Sequence, residues 1–167
     1  LSKNAVKVTA TLQQAGFDAY IVGGAVRDLL LGIAPKDFDV ATNATPEEVQ
    51  RLFRKSRLIG RRFQIVHVTF YGKERPEIIE VSTFRAHVQG EDGHIAASGR
   101  ILRDNVWGSQ AEDATRRDFS INAMYYDPQS ETVLDYHHGM QDISARTIRM
   151  IGEPKQRYRE RSEEHTS

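Results

Sequence analysis

Cysteine is absent from this 167-residue chain, which excludes a disulfide partner and a thiolate metal site and is compatible with a reducing compartment. No apolar run reaches membrane length and no leader pattern opens the chain, so no membrane partner is expected and the cytoplasm is the default location. Excess charge of one sign is missing too: 23 Lys and Arg balance 23 Asp and Glu. The global basicity common in nucleic-acid binders is therefore lacking, which counts against RNA as a partner of this segment alone. His137 and His138 have no Cys or His at ligand spacing, so they read as a surface loop rather than a zinc site. No internal repeat occurs, and 39% hydrophobic content at this length suits one domain with a sizeable core.

What is present begins with Gly23-Gly24-Ala25-Val26-Arg27-Asp28, followed by Asp37-Phe38-Asp39. Tyr20-Ile21-Val22 reads as a buried strand entering two glycines, and residues 25–31 as a helix opening directly after them. Backbone N–H groups at such a start suit a triphosphate, and Arg27 on the helix face can meet phosphate oxygens. Asp37 and Asp39 are two apart, so on a strand both carboxylates share a face, roughly 7 Å apart along the backbone. Such a pair can share two divalent cations about 3.5–4 Å apart, one activating an attacking hydroxyl and one stabilising a pyrophosphate leaving group. A lone Gly-Gly is commonly a turn, and a lone Asp-x-Asp a loop edge or helix cap. In combination they point to nucleotidyl transfer.

In the strand-like run from Pro76 to Phe84, Ile78, Glu80 and Ser82 share one face while Ile79 and Val81 take the other. Glu80 is then a carboxylate that needs a metal, an arginine or solvent, either beside the metal site or at the surface of an edge strand. Arg51, Arg54, Lys55, Arg57, Arg61 and Arg62 form a basic run with no intervening acid, which fits an RNA backbone, a triphosphate or a solvated helix face. Phe53 and Phe63 within it read as core residues rather than stacking platforms.

The layout is mixed α/β. A helix is predicted over 4–14, ended by Gly16, and another from the Thr45-Pro46-Glu47-Glu48 start. Strands are expected over 65–71 and 78–84 as a hairpin around 72–76, and shorter ones over 123–126, 133–136 and 148–151. Residues 89–100 read as a mobile loop.

Together with Arg116-Arg117-Asp118-Phe119-Ser120-Ile121-Asn122-Ala123, the glycine turn and the Asp pair resemble the two motifs of the class II nucleotidyltransferases. That family comprises bacterial poly(A) polymerases and CCA-adding tRNA nucleotidyltransferases, and its head is related to DNA polymerase beta. The resemblance implies an α+β head, a mixed sheet flanked by helices. It implies that Asp37 and Asp39 hold Mg²⁺, with Glu80 as a third metal-side candidate, and that Gly23, Gly24 and Arg27 meet the incoming nucleotide. It places Arg116 and Arg117 in the nucleotide site, with Asp118 as a further catalytic-site carboxylate; the alternative for these three is a helix-surface ion pair, worth little.

Leu58-Ile59-Gly60-Arg61-Arg62-Phe63-Gln64-Ile65 looks like the poly(A) polymerase branch, since CCA-adding enzymes tend to carry Gly-Thr where Gln64-Ile65 stand. Residues 103–109 look the same way. The implied activity is addition of AMP from ATP to RNA 3′ ends, as in RNA polyadenylation and mRNA processing or decay, with Arg61 and Arg62 as RNA-binding candidates. The alternatives are CCA addition to tRNA, and a truncated nucleotide-binding module without turnover. Residues 1–160 are expected to form the head, and 161–167 read as a non-native tail. In the family an Asp and an Arg that read the base follow Glu160, where this chain has Arg161-Ser162.

Overall fold

A computed structural model of the chain describes residues 1–86, 107–117 and 119–144. Asp118, the 89–100 loop, the 148–151 strand, the 161–167 tail and most of 103–109 lie outside the described residues.

Ser2 caps the first helix, α1 (Lys3–Gln14), by accepting the Ala5 N–H, and Ala5, Val8, Thr9 and Leu12 form its buried stripe. Strand β1 (Ala19–Val22) leads through Gly23 into helix α2 (Gly24–Leu30), and β2 (Phe38–Thr42) follows. Helix α3 (Pro46–Leu52) opens on the expected capping box between Thr45 and Glu48, with Pro46 in its first turn.

The basic run departs from a helix face. Arg51 ends α3, Arg57 lies on a strand, β3 (Ser56–Ile59), and Arg61 and Arg62 occupy the exposed turn that follows. The physical reason is that Leu58 and Ile59 extend along β4 (Ile65–Phe70), so the cations are distributed over the last turn of α3, a loop, a strand and a turn. The hairpin of β4 with β5 (Glu77–Thr83) forms as expected.

Two short helices were not anticipated. Helix α4 (Gln110–Thr115) begins on a Ser109–Glu112 capping box, and α5 (Gly139–Ser144) follows β6 (Met124–Asp127) and β7 (Thr132–Asp135). Asp135 accepts the Gly139 and Met140 N–H groups at 2.6 and 2.9 Å, and His137 and His138 lie in the turn between. Gly139 is required there because a Cβ would run into the Ser120 carbonyl.

The strand order is β3-β4-β5-β2-β1-β6-β7, with only β2 and β5 parallel. Period two then divides the sheet. One face carries Ile21, Phe38, Val40, Val66 and Ile79 against α1, α2 and α3, a single cluster with every one of these side chains at most 5% exposed. The other face carries Val22, Ala41, Phe84 and Tyr125 as a smaller cluster. Asp39 and Glu80 alternate with core residues of the first face, so they stand on the second.

Candidate active site

Gly23 sits at φ +74° and ψ −142°, a conformation that side chains of L-residues rarely adopt, which explains glycine at the end of β1. Arg27 folds back over Gly24, so that a Cβ at Gly24 would lie 3.2 Å from Arg27 Nη2. Arg27 Nε donates to Asp28 Oδ1 at 3.0 Å and Nη1 to Asn122 Oδ1 at 3.1 Å. Asn122 belongs to the 3₁₀ turn Ser120–Asn122, so the glycine turn and the Arg116–Ala123 motif are joined directly.

Asp37 is exposed and lies one residue before β2, so only Asp39 of the pair is on a strand. In register Asp39 faces Val22 on β1 and Glu80 on β5. Its carboxyl is pushed up to about 6, first by loss of hydration against the flanking protein and then by the Glu80 charge. Asp37 adds to the rise, while Arg117 and His67 oppose it. The residue keeps exposed surface yet lines two clefts beside Glu80, so both effects act on one group. Glu80 Oε1 pairs with His67 Nε2 at 3.3 Å, and Glu80 is half-exposed. An edge-strand position for Glu80 is ruled out, because β5 lies between β4 and β2 inside the sheet.

Beneath these groups is a buried ion network. Asp113 is fully buried and binds Arg116 through Nε and Nη2, both at 3.0 Å, and Arg117 Nη2 at 2.9 Å. The Tyr125 hydroxyl donates to Asp113 at 2.6 Å, and Arg117 Nε donates to that hydroxyl at 3.3 Å. Burial alone would raise the Asp113 carboxyl; Arg117, Arg116, the Tyr125 hydroxyl and the Arg85 N–H outweigh it and hold the group below its usual value. The arginine pair therefore does not form a helix-surface contact: its carboxylate partner is interior, at i−3 and i−4 on α4. Tyr125 is fixed in turn by edge contacts with Tyr20, Phe84 and Tyr136 at 5.8–6.3 Å.

Two clefts meet at Asp39. One, of about 320 Å³, is lined by Asp39, Glu80, Arg85, Trp107, Arg116 and Arg117 among others. The second, of about 330 Å³, is lined by Gly24, Arg27, Asp28, Lys36, Asp37 and Asp39 among others. The fold thus brings together every candidate of the two motifs that it describes. Arg61 and Arg62 do not line either cleft. Phe63, read as a core residue, is 36% exposed: it follows the Gly60 turn rather than a core-facing strand position, and it stacks against Arg85. Asp113, Tyr125, Asn122 and Arg85 were missed; only the Asp113–Arg116–Arg117 spacing was visible in advance.

Among the described residues no three His, Cys, Asp or Glu side chains are grouped closely enough to hold a metal ion by themselves. Asp37 and Asp39 nonetheless fit Mg²⁺ in kind: both are hard oxygen donors on the second cleft, and the charges of Glu80 and Asp37, which add to the rise that lost hydration imposes on the Asp39 carboxyl, are ones a divalent cation would relieve. Mg²⁺ is ordinarily held by one or two carboxylates, with substrate phosphates and water completing its shell.

A mixed sheet with carboxylates on adjacent central strands, beside a glycine turn and a motif bonded to it, defines a polymerase-beta-like nucleotidyltransferase head. Within that class the chain belongs to the Poly A polymerase head domain family, whose model matches residues 19–149. It is 55% identical over 165 residues to Poly(A) polymerase I of Salmonella typhi, covering 96% of this chain and 35% of that protein. It is 40% identical over 158 residues to the CCA-adding enzyme of Geobacillus stearothermophilus, covering 95% and 37%. The crystal structure of the Bacillus stearothermophilus CCA-adding enzyme in complex with CTP superposes with a TM-score of 0.76 at 39% identity, over 95% of this chain and 35% of that one. The chain thus spans about a third of the length of these relatives.

Proposed function

We propose that residues 1–160 are the catalytic head of a polynucleotide adenylyltransferase, which adds AMP from ATP to RNA 3′ ends in the cytoplasm. The observation that carries this reading is the position of Asp39 in the wall of both clefts. A triphosphate in the cleft of Gly24, Arg27 and Lys36 and an RNA end in the cleft of Glu80 would then meet at one carboxylate. The identity of 55% to a poly(A) polymerase I, against 40% to a CCA-adding enzyme, supports adenylation.

In the reaction the RNA 3′-oxygen forms a bond to the α-phosphorus of ATP as the bond to pyrophosphate breaks in line. Mg²⁺ held by Asp37 and Asp39 would supply positive charge to the oxygens on which negative charge develops. Arg27 binds triphosphate oxygens, kept in place by Asp28 and Asn122. Arg117, whose charge reaches Asp39, and Arg116 beside it orient the nucleotide where the two clefts meet, from a base fixed by Asp113. Asp118, next along the chain, contributes a further carboxylate, and Glu80 keeps the wall beside Asp39 anionic.

A second reading is CCA addition, favoured by the TM-score of 0.76 to a CCA-adding enzyme. A chimaera in which this chain replaces the matched segment of the Salmonella typhi Poly(A) polymerase I separates the readings. Given each labelled nucleoside triphosphate with generic RNA or with tRNA lacking its end, long A-only tails are expected. CTP incorporation that stops after a few residues would replace this reading with the second, and triphosphate binding without any transfer would reduce the head to a binding module.

A further inference from the structure

The cleft of about 320 Å³ is divided by charge: Asp39 and Glu80 at one part of its lining, Arg85, Arg116 and Arg117 at another. Two of these three cations are already committed, since Arg116 and Arg117 share Asp113. Arg85 differs. Its backbone N–H donates to Asp113 Oδ1 at 3.1 Å, while its guanidinium lies 4.3 Å from the Phe63 ring centroid and has no hydrogen bond or ion pair among the described residues.

A half-buried guanidinium facing two other arginines is desolvated, and among the described residues the counter-charge that acts on it is Asp113, which already holds both of those arginines and makes no ion pair with it. Stacking on a ring fixes the plane of the fork and leaves its N–H groups directed outward, the arrangement suited to paired hydrogen bonds with phosphate oxygens. The Trp107 indole, 39% exposed, lines the same cleft. A cation held on one exposed aromatic ring, with a second ring in the same cleft, is a pattern by which proteins hold single-stranded nucleic acid. Lys36, Arg27 and Gly24 line the other cleft across Asp39, and Arg116 and Arg117 are held by Asp113, so Arg85 is the cation of this cleft left to the RNA.

We propose that Arg85, stacked on Phe63, binds a backbone phosphate of the RNA end whose 3′-hydroxyl is presented at Asp39. This rests on the nucleotidyl-transfer reading above. Phe63 is a positioning residue, acting through the guanidinium. The backbone N–H bond to Asp113 survives any substitution of the Arg85 side chain.

The test is binding of a 5′-fluorescein pentaadenylate with a free 3′-hydroxyl to the chain, by anisotropy at several salt concentrations, beside Mg-ATP binding by calorimetry. Arg85→Ala is expected to weaken RNA binding about tenfold, to flatten the log–log salt slope by about 0.7 and to leave Mg-ATP affinity within about twofold. Arg85→Lys should keep the salt slope yet lose about threefold in RNA affinity, and Phe63→Leu should lose a similar factor. Lys7→Ala, on the exposed side of α1, should change neither ligand. The proposal is overturned by unchanged RNA affinity and slope in Arg85→Ala, by loss of Mg-ATP binding instead of RNA binding, or by no measurable RNA binding by the unsubstituted chain. Because the readout is binding, these outcomes are independent of whether Asp39 variants retain transfer.

Discussion

Asp113→Asn is predicted to be among the most destabilising conservative substitutions in the head. The native carboxylate is fully buried, takes three bonds from Arg116 and Arg117, and accepts the Tyr125 hydroxyl and the Arg85 N–H. The amide keeps the volume but removes the charge, leaving two guanidiniums with side chains 18% and 16% exposed and no carboxylate beneath them. Breaking one side of a buried pair costs about 3–5 kcal/mol; the residual exposure of the arginines places the loss at the low end, about 3 kcal/mol. With a urea slope of about 2 kcal/mol per M, the unfolding midpoint followed by circular dichroism should fall by about 1.5 M.

The pH dependence has a definite sign. A carboxyl held below its unfolded value adds stability that is present above that value, near pH 4, and is lost as pH falls through the lower folded value. The difference between parent and variant should therefore be constant from about pH 7 to 5 and shrink below about pH 4. A loss under about 1 kcal/mol at pH 7, or a difference that grows in acid, would refute the account of the network.

Three further outcomes are expected. Gly23→Ala should cost about 1–3 kcal/mol in the same urea titration, because its φ of +74° strains any Cβ; an unchanged midpoint would contradict the turn geometry. Asp39 has the opposite sign to Asp113: its carboxyl is raised to about 6, so without Mg²⁺ it subtracts stability as pH climbs from about 4 to 6, and Asp39→Asn should melt higher than the parent at pH 8 but not at pH 4. A variant that melts lower at pH 8 would contradict that field. Finally, the groups assigned to the triphosphate and sugar are common to all nucleotides, so the chain should bind ATP, CTP, GTP and UTP with Mg²⁺ within about tenfold, or about 1.4 kcal/mol. A hundredfold preference for ATP in calorimetric titrations would place base reading within residues 1–160.

Much of the site was legible because its chemistry lies in short, locally defined segments. The glycine turn, Asp39 on its strand, and the alternation that puts Glu80 opposite Ile79 follow from period two and from turn chemistry. What local pattern could not supply is pairing. That β5 lies inside the sheet, making Glu80 a neighbour of Asp39, depends on a parallel β2–β5 pairing between residues about forty apart in the chain. The same holds for Arg27 and Asn122, which are 95 residues apart. Phe63 was misread because an aromatic residue within a basic run gives no sign of which side of the following strand it will occupy. The α4 capping box at Ser109 was readable, but six helical residues show too little periodicity to be recognised.

The central claim is that Asp39, where the two clefts meet, enables nucleotidyl transfer. Its most direct test is the rate of AMP addition to RNA by the Salmonella typhi chimaera carrying Asp39→Ala, beside the unsubstituted chimaera, with folding checked by circular dichroism. The account predicts a loss of at least about a thousandfold with the fold retained, since charge on the reacting oxygens is left uncompensated. Adenylation near the unsubstituted rate would contradict it.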